Sequence, residues 1–349
     1  MNYLPLIFAF LLTIFLTLTA VKFFPKLGLL DDPKKYGLRR KPIPYFGGIA
    51  IFFAFVITVF AFLPLSREVL ALLVGTILLT TVSFLDDAFR ISPPLRLFFQ
   101  IVAAGILVIG GVGITHITNP LGGVFDLTSI DWNLGNWWGS EYHFTLLADL
   151  FTVLWVLLLV NSLNWLDGVA GLSSGIAGLA ALVIFFLAAR EGFHYFDQRA
   201  VIVLAGILAG CALGFTVFNF PPPRILLGDS GSMLLGFVLA ALAIFSGGKV
   251  ATAALVLGFP LLDAVWVILR RVLSGKSPFQ GDYGHLHHRL LASGLSERKT
   301  VGVIYLLSIT FGGIALFIDD SFGKLLALGA LFAVMLFVGW RLKNAELKI

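Results

Sequence analysis

Eleven long apolar stretches run through this chain, and they restrict its fold more than any other feature. They lie roughly at residues 3–22, 46–65, 69–85, 95–114, 146–164, 172–189, 200–218, 232–247, 250–269, 301–318 and 323–340. A helix needs about 20 apolar residues to cross a hydrocarbon core of about 30 Å, and most of these stretches come close to that. In lipid the backbone must satisfy its own hydrogen bonds, so helices are the expected form. Of the 349 residues 59% are hydrophobic and 12% charged, more apolar surface than a soluble core can hide. The expected fold is all-α: a polytopic membrane protein of about eleven transmembrane helices, with residues 1–349 as a single membrane domain. No basic residue precedes the first stretch, which continues to about Phe24; it reads as a retained span and not as a signal peptide. The single cysteine, Cys211, permits no intrachain disulfide.

An odd number of spans puts the termini on opposite sides, and the basic residues orient them. With the N-terminus outside, nineteen of the 24 Lys and Arg residues fall inside. Only Arg67, Arg190, Arg199, Lys249 and Lys324 remain outside. The inner loops are then 22–45, 86–95, 164–171, 219–231 and 270–300, and the C-terminus is cytosolic. The net charge of +5 reads as membrane topology, with no nucleic-acid partner implied. The outer loop 115–145, with Trp132, Trp137 and Trp138, reads as an interfacial aromatic cap. The GxxxG at Gly171 and Gly175 reads as close helix packing.

Four polar clusters remain, all on the inner face. Asp86-Asp87 closes the third span, followed by Arg96 and Gln100. Adjacent carboxylates repel; they suit a divalent cation, a base with a raised pKa, or simply a solvated helix end. Asn161, Asn164 and Asp167 recur every third residue, so they share one side of a helix end. Their oxygens suit a hard cation or a hydroxyl, or merely cap and pack the helix. Gly228-Asp229-Ser230-Gly231-Ser232 follows Pro221-Pro222-Pro223-Arg224 and opens a helix. Its N–H groups would face the cytosol as an anion site, with Asp229 as metal holder or plain N-cap. The fourth cluster is Asp282, His285, His287, His288 and Arg289. It could bind zinc, but lacks H-E-x-x-H and cysteine partners, so contact with phosphate is favoured. Gly275-Lys276-Ser277 imitates a P-loop end, yet Arg270 stands where its first glycine belongs, and no G-x-G-x-x-G exists; neither ATP nor a dinucleotide is implied. Asp263 is the one acid deep in a span, and reads as structural or site-shaping.

Taken in order, these motifs resemble the polyprenyl-phosphate N-acetylhexosamine-1-phosphate transferases over nearly the whole chain. The matching residues are Asp31, Pro33, Pro42, Pro44, Gly47 and Gly48; F-L-D-D with Gln100; N-x-x-N-x-x-D-G; L-G-D-S-G-S; P-L-L-D; and S-P-F-x-x-D-x-x-H-L-H-H-R. The chain looks like the branch that makes undecaprenyl-pyrophosphate-GlcNAc for surface polysaccharides or teichoic acids; lipid I synthase is the cousin branch. The resemblance implies a lipid phosphate attacking the β-phosphorus of a UDP-sugar, with Mg²⁺ (or Mn²⁺) and release of UMP, at the cytosolic face of the plasma membrane. It implies Asp229 and Asn164 as metal ligands, Asp86 as base on the lipid phosphate, and Asp87 and Asp167 as builders of the nucleotide and metal site. Asn161, Arg96, Arg39, Lys41, Asp282, His285, His287, His288 and Arg289 would hold substrate. It also allows a homodimer. Three departures stand out. The family's R-K-x-H reads Tyr36, Gly37, Leu38, Arg39, with Arg40 and Lys41 beside it as replacement charge; Ala170 replaces an acid; Leu226 replaces a nucleobase-stacking Phe. The rival readings are a different nucleotide-sugar donor, an inactive scaffold, and a transporter. The last would place ionisable residues at mid-membrane on several helices.

Overall fold

A computed structural model describes residues 2–36, 40–119, 122–137, 140–190, 198–246, 254–275 and 284–342. A helix lies on each of the eleven apolar stretches: α1 Leu4–Phe23, α2 Gly48–Phe62, α3 Arg67–Phe89, α4 Pro93–Ile109, α5 Leu146–Leu166, α6 Leu172–Ala188, α7 Arg199–Asn219, α8 Gly228–Phe245, α9 Gly258–Leu273, α11 Glu297–Phe317 and α12 Ser321–Arg341. A short helix, α10 Leu286–Ala292, precedes α11. Among the described residues, α1, α3, α5, α7, α8, α11 and α12 are long and apolar enough to cross a membrane. The protein is a multi-pass, all-α membrane protein. Its outward-facing side chains fit that solvent: Phe15 and Leu306 are 64% and 65% exposed, as lipid-facing residues would be.

Three differences from the sequence reading have physical causes. First, α3 starts earlier, because Ser66 caps it by accepting from Val69 N–H, and it runs on through Asp86 and Asp87. The paired acids are therefore on its last turn and not in a loop. Second, α8 begins at Gly228, four residues before the expected start, because acids from other helices satisfy its first N–H groups. Third, the loop 115–145 contains strands. β1 His116–Thr118 pairs antiparallel with β2 Val124–Asp126, and β3 Asp131–Trp137 with β4 Ser140–Thr145. Trp132 stacks on its cross-strand partner Phe144, with centroids 5.6 Å apart and planes at 11°. This pairing is sheet-stabilising. Gly and Asn in the strands had masked the alternation. Trp138 lies outside the described residues.

The buried helix α8 forms the axis of the bundle, flanked by α2, α3, α5 and α6. Beside it α1 and α7 run parallel: a Cβ on Gly210 would meet Leu6 O, and one on Gly214 would meet Phe10 O, at 2.3 and 2.8 Å. Small residues thus allow backbone-to-backbone approach, as expected between membrane helices. The same holds where Tyr305 of α11 seats against Gly175 and donates to Gly171 O. The described residues of the four polar clusters gather at one end of the bundle, and the two hairpins hang from the other.

The first loop returns across that polar end. Arg40 forks onto Asp31 at 2.5 and 3.1 Å, and Asp31 also accepts Ile43 N–H. Pro44 O then accepts Leu226 N–H, while Gly47 and Gly48 N–H donate to Leu226 and Leu227 O. The loop is thereby stitched to the start of α8. A Cβ on Gly48 would lie 2.2 Å from Gly231 N, a backbone atom that cannot yield cheaply. Gly48→Ala is expected to cost about 1–3 kcal/mol of stability through overpacking. Because the displaced segment is the first turn of α8, activity should fall with it. Thermal unfolding in detergent, beside an activity assay, checks both.

Candidate active site

The chemistry at the polar end is organised by the N-terminus of α8. Asp87, on the last turn of α3, accepts from Asp229 N–H at 3.1 Å and Ser230 N–H at 3.2 Å, and from the Tyr45 hydroxyl at 2.9 Å. Asp167, just beyond α5, accepts from Gly228 N–H. Gly228 has φ +77°, and a Cβ there would lie 2.9 Å from Asp87 Oδ2, so the turn and the acid's approach both require glycine. The helix end expected to receive an external anion is thus already capped by two of the chain's own acids. This is a correction to the sequence reading. The partial positive charge of the helix end holds Asp87 and Asp167 in place.

Capping by Asp87 and Asp167 leaves the Asp229 side chain to face the other way. It accepts from Asn164 Nδ2 at 2.9 Å and from Arg96 Nη1 at 3.2 Å. Arg96 also reaches Asp86 Oδ2 at 3.3 Å, so a single guanidinium bridges two acids. Asp86 Oδ1 accepts Ile91 N–H at 2.7 Å just after Arg90, whose φ of +58° turns the chain out of α3. Asn164 donates additionally to Ser232 Oγ at 3.1 Å. Asp86 and Asp229 therefore meet at one arginine, Asn164 joins them through Asp229, and Asp87 and Asp167 hold the backbone of the same turn from behind. Behind Asp167, Asn219 fastens the turn by accepting Gly171 N–H at 2.7 Å and donating to Ile225 O at 2.9 Å.

The electrostatics follow from this crowding. Burial, and then the charges of Asp229 and Asp87, hold the Asp167 carboxyl well above the usual carboxylate range, against the opposing Gly228 N–H. Burial, and then Asp87, Asp229 and Asp167, push the Tyr45 hydroxyl far up, so it remains a donor. An acid with a raised folded pKa binds more protons folded than unfolded. Stability is then lost as pH rises from the ordinary carboxylate range through the raised value. Metal-stripped protein is therefore expected to unfold more easily as pH is raised above the ordinary carboxylate range, and a divalent cation should flatten that fall. Thermal unfolding with chelator or with Mg²⁺ reads this directly.

The donor set suits a hard divalent cation: carboxylate and amide oxygens, with one cation already among them. Among the described residues no three acid or imidazole side chains yet converge on a common point as ligands. The Arg96 bridge holds Asp86 and Asp229 instead. Of the residues expected to hold substrate, Arg96 is here bound to two acids. Asn161 turns away from Asn164, donating to Gln100 Oε1 at 2.9 Å and to Leu157 O. Lys41 is exposed on the first loop. Arg40, expected as replacement charge, is committed to Asp31. Arg39 and Asp282 lie outside the described residues.

The histidine segment docks on the turn after Asn164. A Cβ on Gly168 would lie 3.2 Å from His287 Nε2 and 3.3 Å from His288 Cε1. His285 packs on Trp165 with centroids 5.7 Å apart. His287 is fully buried with neither ring nitrogen hydrogen-bonded among the described residues. Burial, and then the charges of His288 and His285, lower its pKa well below the ordinary value. Its ring packs against those of His285 and His288. Arg289 donates to Gly339 O of α12 and lines a cavity of about 340 Å³ with Asp263, Trp266, Met335 and Trp340; Asp86, Asp87, Asp167 and Asp229 do not line it. Sequence reasoning missed Tyr45 and Trp165. Tyr45 stands inside the P-x-P-x-x-G-G segment, whose proximity to Asp87 only the fold creates.

A model of the family described as Glycosyl transferase family 4 matches residues 69–247, which include α3 to α8 and hence the whole acid cluster. The chain is 29% identical over 320 residues to the probable undecaprenyl-phosphate N-acetylglucosaminyl 1-phosphate transferase of Bacillus subtilis (strain 168), covering 90% of this chain and 83% of that one. It is 31% identical to the decaprenyl-phosphate N-acetylglucosaminephosphotransferase of Mycobacterium leprae (strain TN), covering 78% and 73%. It is 28% identical to the undecaprenyl-phosphate alpha-N-acetylglucosaminyl 1-phosphate transferase of Escherichia coli (strain K12), covering 89% and 83%. An apolar helix bundle with this cluster at one end and these relatives is a membrane-embedded transferase. The chain belongs to glycosyl transferase family 4, among the polyprenyl-phosphate N-acetylhexosamine-1-phosphate transferases that its motifs resemble.

Proposed function

We propose that this protein transfers GlcNAc-1-phosphate from UDP-GlcNAc to a polyprenyl phosphate, releasing UMP, at the cytosolic face of the plasma membrane. The observation that carries the reading is the convergence of Asp86, Asp87, Asp167, Asp229 and Asn164 at one end of an apolar bundle. The relatives' printed activities supply the substrates. The concentration of basic residues on the loops at that end supports a cytosolic orientation. A lipid acceptor stays in the leaflet while a nucleotide-sugar arrives from water, and a site at the mouth of the bundle serves both.

The reaction replaces one pyrophosphate linkage by another, so catalysis consists of positioning and charge neutralisation. Asp229 and the Asn164 amide oxygen would hold Mg²⁺ or Mn²⁺, which supplies charge neutralisation at the diphosphate when bound. Asp87 and Asp167 fix the first turn of α8, and with it Asp229. Arg96 is the cation already in the cluster, available to a phosphate oxygen once Asp229 takes other partners. Asp86 keeps Arg96 aimed and is the candidate base on the lipid phosphate. His285, His288 and Arg289 would contact phosphate or sugar, together with Lys41, Arg39 and Asp282.

The test is transfer by purified protein in detergent, with undecaprenyl phosphate, Mg²⁺ and labelled UDP-GlcNAc. Label is expected in organic-extractable lipid. Label arising only from a UDP-MurNAc-peptide would move the reading to the lipid I branch, and label from another nucleotide-sugar would move the donor. No label from any donor, with well-folded protein, would sink the transferase reading.

A further inference from the structure

Asp263 is a carboxylate on an apolar helix, 3% exposed, in a position where an unpartnered charge would be costly. Both of its oxygens are used. Oδ2 lies 2.8 Å from His285 Nδ1, and Oδ1 accepts Leu286 N–H at 2.9 Å. Arg289 lines the same cavity as Asp263. Asp263 as a carboxylate can only accept, toward His285 Nδ1 as it does toward Leu286 N–H, and that geometry calls for a proton on Nδ1. The other faces of the His285 ring meet Trp165 at 5.7 Å and His287 at 5.6 Å, with His288 further off at 6.5 Å. Trp165 is the residue after Asn164 and two before Asp167. One buried acid in α9 thus fixes both the ring and the backbone of the histidine segment where it meets the acid-bearing turn.

We propose that Asp263 is a positioning residue for the transfer reaction, holding the His285 imidazole with its proton on Nδ1 so that Nε2 is the working nitrogen. Neutral, that nitrogen accepts from a sugar hydroxyl; protonated, it donates to a phosphate oxygen. The proposal rests on the function proposed above for the reaction itself, while the ring geometry stands independently of it. A histidine's second nitrogen sets what its first can do, and a carboxylate partner is the common device for setting it.

The substitution Asp263→Asn tests this, because two donors face Asp263 and an asparagine offers only one acceptor oxygen. Its amide N–H must face either Leu286 N–H or His285 Nδ1, and His285 relieves the conflict by moving its proton to Nε2. In wild-type protein, ¹⁵N NMR of labelled histidines is expected to assign His285 a proton on Nδ1; a bare Nδ1 with the proton on Nε2 would overturn the proposal without any variant. In Asp263→Asn the tautomer is expected to switch. The turnover number should fall about tenfold or more, while KM for the UDP-sugar changes by less than about threefold. Adding Asp263→Asn to His285→Gln should cost no further activity, because the acid acts through the ring. Wild-type turnover in Asp263→Asn, or fully multiplicative losses in the double variant, would overturn it. Absence of transfer by the wild-type protein would instead strike the reaction assigned above and leave the tautomer result standing.

Discussion

Asp229→Ala is expected to lower turnover by about a thousandfold or more, with the protein still folded. Asp229 is the acid of the cluster whose carboxylate meets Asn164 from α5 and Arg96 from α4, while its own backbone N–H is held by Asp87. Removing the carboxylate takes away the proposed cation ligand and leaves Arg96 bridging to Asp86 alone. Loss of one preorganised electrostatic group at a reacting centre costs about 10²–10³, and this one would act both directly and through a metal. Folding should survive, because the α8 cap is made by the backbone of residues 228–230 to Asp87 and Asp167 and does not need the Asp229 side chain. Initial rates of lipid labelling, with thermal unfolding as a control, separate the two. An activity loss below about tenfold would remove Asp229 from the centre of the site.

The companion expectation concerns Asp87, and here stability and activity fall together. Asp87→Ala strands two N–H groups at the start of α8 and the half-buried Tyr45 hydroxyl. Each unsatisfied buried donor costs about 1–3 kcal/mol, and loss of a helix cap alone about 1 kcal/mol. A total near 3 kcal/mol is expected, together with an activity loss of at least about a hundredfold as Asp229 loses its fixed backbone. Asp87→Asn keeps one acceptor oxygen and should lose less stability than the alanine variant. A purely metal-binding role for Asp87 would give the opposite pattern: both variants inactive and both as stable as wild type in chelator.

Much of this arrangement was legible in the sequence, for physical reasons that differ from part to part. The helices were legible because crossing lipid demands long apolar runs, and α1 to α9, α11 and α12 all fall on such runs. The identity of the acids was legible because Asp86, Asp87, Asn164, Asp167 and Asp229 stand at the ends of those runs, where the chain need not be polar to fold. What they do to each other was not. Asp87 precedes Asp229 by 142 positions, and no local pattern says that one caps the other's helix. The N-terminus of α8 looked like an anion site because its sequence supplies the N–H groups; only packing shows that they are already taken. Asn161 and Asn164 share a helical spacing, yet Gln100 from α4 draws one aside and Asp229 from α8 draws the other in. The strands of residues 116–145 were hidden because Gly and Asn break the alternation that marks a half-buried strand.

The central claim is that the acids at the ends of α3, α5 and α8 hold a divalent cation on which transfer depends. Its most direct test is Mn²⁺ binding to metal-stripped protein, followed by electron paramagnetic resonance, in the wild type and in Asp229→Ala. The expected result is one Mn²⁺ bound per chain, displaced by Mg²⁺, restoring lipid labelling as it binds, and lost in the variant. Equal Mn²⁺ binding by the Asp229→Ala protein, or full transfer in excess chelator, would contradict it.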